Sequence, residues 1–309
     1  QAASCRALGG LLPACSGVLQ LSQARECIEM VTAAMRQHPL LPNVQEVACL
    51  ALASLQRPDL QSIASTNGAI EQVVGAMASF PDVPSLQRWA CGALASLAAN
   101  HPANQSAVAA ARGVEAIASA MKDQPDLTVL QITACGALGN LAANHPNNQS
   151  AVAASGAIEL VCSAMEQHSD SVALQQSAIA ALWCLIKGHP ENQALVIRLG
   201  GRDRIIWAVQ RHAARVPSLR AMAAGALKVL IPDLSAAMAT FRRAPEASAR
   251  AKAEEVVSVV STARTSGGMT ARSTSAPLST NRSTAGATPR APARNAWASP
   301  PPGKTPPTF

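Results

Sequence analysis

Cysteine and histidine recur along this chain at a spacing that could support chemistry. Thiolates and imidazoles are the usual zinc ligands, and thiols also serve redox sites. The recurring positions are Cys5, Cys49, Cys91 and Cys135, and His101, His145 and His189. Successive residues of each type are 42 or 44 positions apart, and residues that recur once per structural unit cannot converge on a single metal ion. We therefore predict that the cysteines are core residues, that the histidines belong to turns, and that the protein binds no metal or other cofactor.

The sequence lacks the motifs of common enzymes. It has no HExxH, GxSxG or GxxxxGK[ST] segment, and its carboxylates fall singly along the repeats. Gly303-Lys304-Thr305 matches only the end of a phosphate-binding loop, in a Pro-rich context with no strand before it. We therefore expect that the protein is not an enzyme.

Composition narrows the class of protein further. The chain has 309 residues, of which 49% are apolar and 14% charged, with three Phe and no Tyr. This apolar content excludes a wholly disordered chain. Eight cysteines in this length are too few for a disulfide-stapled secreted scaffold. The core must therefore be assembled from many small side chains.

Charge is distributed unevenly. Residues 1–197 contain 8 basic and 13 acidic side chains, residues 198–252 contain 11 basic and three acidic ones, and residues 264–309 contain six basic and no acidic ones. The net charge of +7 therefore reflects a basic end and a basic tail. Such ends bind nucleic acid, anionic membranes or acidic proteins, or are simply solvated.

The sequence repeats with a period of 44 residues. GAIEQVVGAM (68–77), RGVEAIASAM (112–121) and GAIELVCSAM (156–165) align without gaps, and a His-Pro pair followed by Asn-Gln recurs at the same spacing. Such self-similarity indicates a tandem array in which each unit covers the apolar face of its neighbour. The first eleven residues match residues 87–97, so we expect the array to continue upstream of Gln1.

Each repeat has the pattern of three helices. In residues 101–144, Pro102 favours the start of a short helix and Gly113 predicts a tight bend before a second helix over 114–121. A loop at 124–126 precedes the third and longest helix, over 127–143, whose apolar residues follow the helical period. At about 1.5 Å per residue this apolar segment is too short to cross a bilayer, so we predict no transmembrane segment.

These features resemble the armadillo repeat. The resemblance is carried by GALGNLAAN (136–144), by the Pro-x-Asn-Gln turn after it and by the GAIE opening at 156–159. It covers residues 1–231 as one half repeat and about five repeats. It implies an all-α fold, an armadillo-type right-handed α-solenoid. The related HEAT repeat is the alternative, and the short first helix of each unit disfavours it.

The resemblance also implies where a partner binds. In the family, third helices line the concave face, and peptide-binding members hold an extended ligand with an Asn on this helix and a Trp one turn before it. Here only Asn140 occupies the Asn position, and Trp89 and Trp183 are out of register. The array that importin-α-like adaptors use for basic peptides is therefore missing. We predict a shallow groove of Gly, Ala and Ser, with partner contacts from Arg88, Ser96, Asn140 and Gln176.

The end of the chain differs from the array. We predict that residues 232–264 are a capping segment with a helix over 245–264, because a solenoid needs a polar cover over its last apolar face. Residues 265–309 contain eight Pro and fourteen Ser or Thr, which predicts a disordered basic tail.

Two short motifs in the tail predict regulatory partners. Residues 272–277 resemble the RSxSxP sequence that 14-3-3 proteins read once its second serine, Ser275, is phosphorylated. Residues 289–294 have the PxxPxR pattern of ligands for proline-reading domains, formed by Pro289, Pro292 and Arg294.

Three functional hypotheses follow. The first is a non-catalytic scaffold or adaptor that binds a protein partner on the concave face. The second is the targeting arm of a larger enzyme, because armadillo repeats accompany ubiquitin-ligase and kinase domains in known families. The third is nucleic-acid binding through residues 198–252, which the absence of an aromatic stacking platform disfavours. The thiol pattern predicts a reducing compartment, the cytoplasm or the nucleus.

Overall fold

The computed structural model describes residues 21–212 and 216–231. This part of the chain forms fourteen helices and contains no strand, which confirms the all-α prediction. The helices are α1 (Leu21–Gln37), α2 (Pro42–Ala53), α3 (Pro58–Thr66), α4 (Ala69–Ser79), α5 (Pro84–Ala98), α6 (Pro102–Ala110), α7 (Gly113–Asp123), α8 (Thr128–Ala142), α9 (Pro146–Ala154), α10 (Ala157–Gln167), α11 (Val172–Ile186), α12 (Pro190–Arg198), α13 (Gly201–His212) and α14 (Pro217–Leu230).

The helices form units of one short helix and two longer ones. The unit of α6, α7 and α8 matches the three helices predicted from residues 101–144. Pro102 stands in the first turn of α6, where an N–H would have no helical partner. The bend before α7 was predicted at Gly113, but the residue with the left-handed conformation is Arg112, with φ 63°. Gly113 is needed for space instead, since a Cβ there would lie 2.5 Å from Val108 Cγ1.

Corresponding helices of successive units pack against one another. The third helices α2, α5, α8, α11 and α14 form one layer, and the second helices α1, α4, α7, α10 and α13 form an adjoining layer. Between them lies one continuous cluster of mainly Ala, Val, Leu and Ile side chains that extends from Ala24 to Leu230. The array therefore has a core that no single unit could form by itself.

The recurring cysteines of the described residues lie in this core. Cys91 and Cys135 are fully buried, and burial raises the pKa of each thiol to about 12. Burial likewise raises the pKa of Cys49, and raises that of Cys162 to about 11. Thiols in this state stay protonated and unreactive near neutral pH. Their prediction as core residues is confirmed, with Cys5 outside the described residues.

A buried glutamine in the first turn of a third helix ties that helix to the preceding second helix. Gln87 Nε2 donates to the carbonyls of Met77 (2.8 Å) and Phe80 (2.9 Å). These carbonyls lie at or beyond the end of α4 and lack helical partners, so the side chain supplies the missing donors. The same pair of bonds is made by Gln45, Gln131 and Gln175.

A buried asparagine on a short helix joins consecutive units. Asn148 Nδ2 donates to the Leu141 carbonyl at the end of α8 (2.9 Å) and to the Gln105 carbonyl of the preceding short helix (3.0 Å). Asn104 and Asn192 make the equivalent bonds. The recurrent Asn-Gln pairs of the sequence therefore include a structural link between units.

The recurrent histidines are helix caps. His145 Nδ1 accepts from the backbone N–H of Asn148 in the first turn of α9 (3.3 Å). Its Nε2 must then carry the proton, which it donates to Ser106 Oγ of the preceding unit (2.9 Å). His101 and His189 make the same contacts. Their predicted position in turns is confirmed.

Among the described helices, none combines the length and the apolar character that crossing a bilayer requires. The half repeat predicted at the N-terminus, the capping helix predicted over 245–264 and the predicted tail over 265–309 lie outside the described residues.

Candidate functional site

The third helices keep one side in the core and present the other to solvent, and we call this second side the third-helix surface. All four residues predicted to contact a partner within the array lie on it. It consists of Glu46, Val47 and Leu50 on α2; Arg88, Trp89, Gly92 and Ser96 on α5; Val129, Ile132, Thr133 and Asn140 on α8; Gln176, Ala180 and Trp183 on α11; and Met222, Gly225 and Lys228 on α14.

Arg88 and Trp89 form a stacked pair on α5. The guanidinium carbon of Arg88 lies 4.1 Å from the centre of the Trp89 ring. Stacking orders the long Arg88 side chain while keeping the in-plane N–H donors of its guanidinium. Arginine and tryptophan are also the residue types most enriched at energetically important interface positions. The pair therefore combines apolar area with charged donors.

Ser96 and Asn140 link successive third helices. Ser96 Oγ donates to the Ala53 carbonyl on α2 (2.6 Å), and Asn140 Nδ2 donates to the Ala95 carbonyl on α5 (2.9 Å). The Ser96 hydroxyl proton and one of the two Asn140 amide protons are therefore used inside the array. Within the described residues, Asn140 keeps its second amide proton and its Oδ1 for a partner.

Polar pairs also cross between third helices at the start of each helix. Gln176 Nε2 donates to Ser218 Oγ on α14 (3.2 Å), and Ser85 Oγ donates to a Glu46 carboxylate oxygen on α2 (2.9 Å). Gln176 is half-buried and stands at the margin of the surface, as predicted from its register. The four predicted contact residues share one surface. Each of them makes a hydrogen bond or a stacking contact with a neighbouring residue of the array.

The glycines of this surface allow close packing of helices. A Cβ on Gly92 would lie 3.3 Å from Ala53 Cβ, and one on Gly225 would lie 3.4 Å from Trp183 Cε2. The side chains of Ala53 and Trp183 therefore occupy part of the space in which a shallow groove was predicted.

Apolar side chains are exposed between the polar margins. Val129 on α8 is 46% exposed and Leu50 on α2 is 37% exposed, while Trp89 and Ile132 are half-buried. Exposed apolar area of this kind is released from water when a partner covers it. The charged residues of the third-helix surface are Glu46, Arg88 and, on α14, the exposed Lys228, so it combines one acidic and two basic side chains with its apolar area.

Three arginines of the basic segment after residue 197 form ion pairs in the part of the chain that the structure describes. Arg204 contacts Glu166 (2.6 Å) and Arg211 contacts Asp170, so two arginines of α13 reach back to carboxylates of the preceding unit. Arg202 pairs with its neighbour Asp203 (2.8 Å). Arg204 and Arg211 therefore join consecutive units.

The part of the chain that the structure describes contains no cluster of three potential metal ligands. The tail residues Ser275, Pro289, Pro292 and Arg294 lie outside it. The 14-3-3 site and the proline-domain site therefore stay predictions.

The glutamine contacts were not predicted from the sequence. Gln45, Gln87, Gln131 and Gln175 recur with the array period at otherwise apolar helices, and this recurrence was the signal that could have identified them. A polar residue repeated inside an apolar stripe indicates a buried hydrogen bond, because an unpaired amide there would be strongly unfavourable.

Comparison with known proteins supports the array. The family model described as LRRK2 ARM repeat matches residues 4–231. No match is found among curated proteins. An engineered protein of known crystal structure is similar, with 20% identity, a TM-score of 0.61, and coverage of 76% of this chain and 98% of that chain. Two designed armadillo repeat proteins are also similar. One has 13% identity, a TM-score of 0.55, and coverage of 73% and 99%. The other, in complex with the peptide (KR)4, has 14% identity, a TM-score of 0.60, and coverage of 74% and 92%.

Structural similarity at this level of identity establishes the fold alone, whereas the family model covers most of the chain. Repeated three-helix units with a shared core, joined by periodic asparagine and glutamine contacts, are the structural counterpart of that match. The chain therefore belongs to the LRRK2 ARM repeat family.

Proposed function

We propose that the protein is a non-catalytic scaffold that binds a helical or folded protein partner on the third-helix surface. The armadillo fold is typically a protein-binding scaffold, and the apolar area around Val129 and the Arg88–Trp89 pair provide contacts suited to such a partner. The observation that carries the proposal is that the array itself uses the Ser96 hydroxyl proton and one of the two Asn140 amide protons, and that Asn140 alone occupies the Asn position of the third helices. An extended peptide needs a series of such donors along its backbone, whereas a helix satisfies its own backbone hydrogen bonds.

The charge of the surface supports the same choice of partner. A basic peptide such as (KR)4, which accompanies one of the designed armadillo proteins, needs several carboxylates along its path. The third-helix surface has Glu46, whose carboxylate already accepts from Ser85. We expect no binding of (KR)4 to the full chain in a fluorescence anisotropy titration at 150 mM salt, a concentration that screens weak surface attraction.

Affinity capture with mass spectrometry tests the proposal. The baits are the full chain, Val129→Glu, and Ile197→Glu as a matched control, because Ile197 is 42% exposed and lies on the short helix α12. We expect partners recovered with the wild type and the control to be lost with Val129→Glu, since a carboxylate there would be desolvated at the interface. Equal recovery by all three baits would contradict binding through this surface.

Parallel capture with residues 1–263 and 1–309 separates partners of the array from partners of the tail. The hypothesis that the array is the interaction arm of a larger enzyme, and the cytoplasmic or nuclear location, stay predictions.

A further inference from the structure

Two positions face each other wherever consecutive second helices meet. At the junction of α10 and α13 they hold Glu166 and Arg204, whose side chains form an ion pair (2.6 Å) across the junction. Register in the 44-residue repeat identifies the equivalent pairs. They are Arg36 and Gln72 at the α1–α4 junction, Ala78 and Ala116 at α4–α7, and Lys122 and Leu160 at α7–α10. The α4–α7 junction thus has the smallest residues at both positions.

The consequence is an open cleft of about 400 Å³ between α4 and α7. Its floor is apolar and includes Val74, the buried Met77 and the half-buried Ala116. Such a volume lies at the small end of ligand-binding pockets, and it suits one large side chain of a protein segment. At the next junction Leu160 packs against the core at the position of Ala116, which shows what occupies this space elsewhere in the array.

The rim of the cleft is charged. The lining includes Arg112 and Glu115 at the start of α7 and Asp123 at its end, with a net charge of −1. Arg112 Nε lies 3.9 Å from Glu115 Oε1, a loose exposed pair, and Asp123 accepts from Ser119 Oγ (3.0 Å). A cation near Asp123 would therefore find an accessible carboxylate beside the apolar floor.

We propose that this cleft is a second docking site, which takes a partner segment with one large apolar side chain and a Lys or Arg within two residues of it. The apolar side chain fills the space beside Ala78 and Ala116, and the basic residue pairs with Asp123. The site lies in the second-helix layer, apart from the third-helix surface, so the array can engage two segments at once.

The test uses random 12-residue peptides displayed on phage and selected against the full chain, with counter-selection against Ala116→Leu. This variant copies Leu160 at the equivalent position of the next unit, and Ala78→Lys copies Lys122 in the same way. Circular dichroism melting checks that both fold. We expect enriched peptides with an apolar residue next to Lys or Arg, whose affinity falls about tenfold or more in either variant, because the cleft is filled. Asp123→Asn should weaken them about threefold at low salt.

Val129→Glu should leave these peptides unaffected, which separates a failure of this proposal from a failure of the third-helix surface. Selection that yields no peptide dependent on Ala116, or peptides with acidic flanking residues, would overturn the proposal. If Ala116→Leu does not fold, the Ala78→Lys comparison decides in the same way.

Discussion

Replacing Asn148 with alanine removes one link between units and should strongly destabilise the array. The Asn148 side chain is 2% exposed, and its Nδ2 donates to the carbonyls of Leu141 and Gln105. Leu141 lies in the last turn of α8, where its carbonyl has no helical partner. A buried carbonyl left without a donor costs about 1–3 kcal/mol, and loss of the second bond and of side-chain packing adds to this. We expect a decrease in unfolding free energy of about 2–4 kcal/mol.

Urea denaturation of the full chain, followed by circular dichroism at the helical band, measures this change. Asn147→Ala is the matched control, because Asn147 is exposed on the same helix and the substitution is identical. The control should stay within about 0.5 kcal/mol of the wild type. If Asn148→Ala also stays within that range, the asparagine does not link units as described.

Four further substitutions test other parts of the fold. Leu138→Ala should lower the unfolding free energy by about 2–5 kcal/mol through a cavity in the core, and a loss below about 0.5 kcal/mol would contradict its burial. Gly156→Ala should cost about 1–2 kcal/mol in the same assay, because φ is 74° and open space around the new Cβ leaves backbone strain as the cause. The reverse change, Arg112→Gly, should be neutral or stabilising, and a clear loss would show that Arg112 makes a contact that outweighs its strain. The pKa of Cys91 and of Cys135 is raised from 9.0 to about 12 by folding, so stability is complete below pH 9 and falls above it as the unfolded thiols ionise. At pH 10 the loss should be about 1 kcal/mol per thiol, and Cys91→Ala should show a smaller alkaline loss than the wild type.

The fold could be predicted from sequence because its causes are periodic. Recurrence of GAIE-type segments and of apolar residues at helical spacing determines both the helices and the fact that units must stack. Pro102 predicted the start of its helix, since the missing N–H of proline is tolerated there. The histidines before Pro102 and its equivalents were assigned to turns on the same grounds, and they cap the helices that follow.

The candidate site was harder to predict because its chemistry depends on contacts between units. Register placed Arg88, Ser96, Asn140 and Gln176 on one surface, but it could not reveal that Ser96 and Asn140 donate to the preceding third helix. The use of Gly92 and Gly225 for helix packing is likewise a property of interhelical distance. The α4–α7 cleft arises from two alanines 38 residues apart, which have no local sequence signature.

The left-handed conformation of Arg112 was not predicted, for a different reason. Its equivalents Gly68, Gly156 and Gly200 all have positive φ, so alignment of the repeats marks residue 112 as a left-handed position. The bend was instead predicted at the neighbouring Gly113, because glycine is the usual residue for a left-handed conformation. In a periodic chain, alignment of the repeats predicts a left-handed position better than the local presence of a glycine does.

Hydrogen–deuterium exchange of the full chain, alone and with a partner whose capture depends on Val129, tests the central claim most directly. We predict that the partner slows amide exchange in α5, α8 and α11, the helices that carry Arg88, Val129 and Gln176. Slowed exchange confined to the second helices or to residues 232–309, with α5, α8 and α11 unchanged, would contradict the claim.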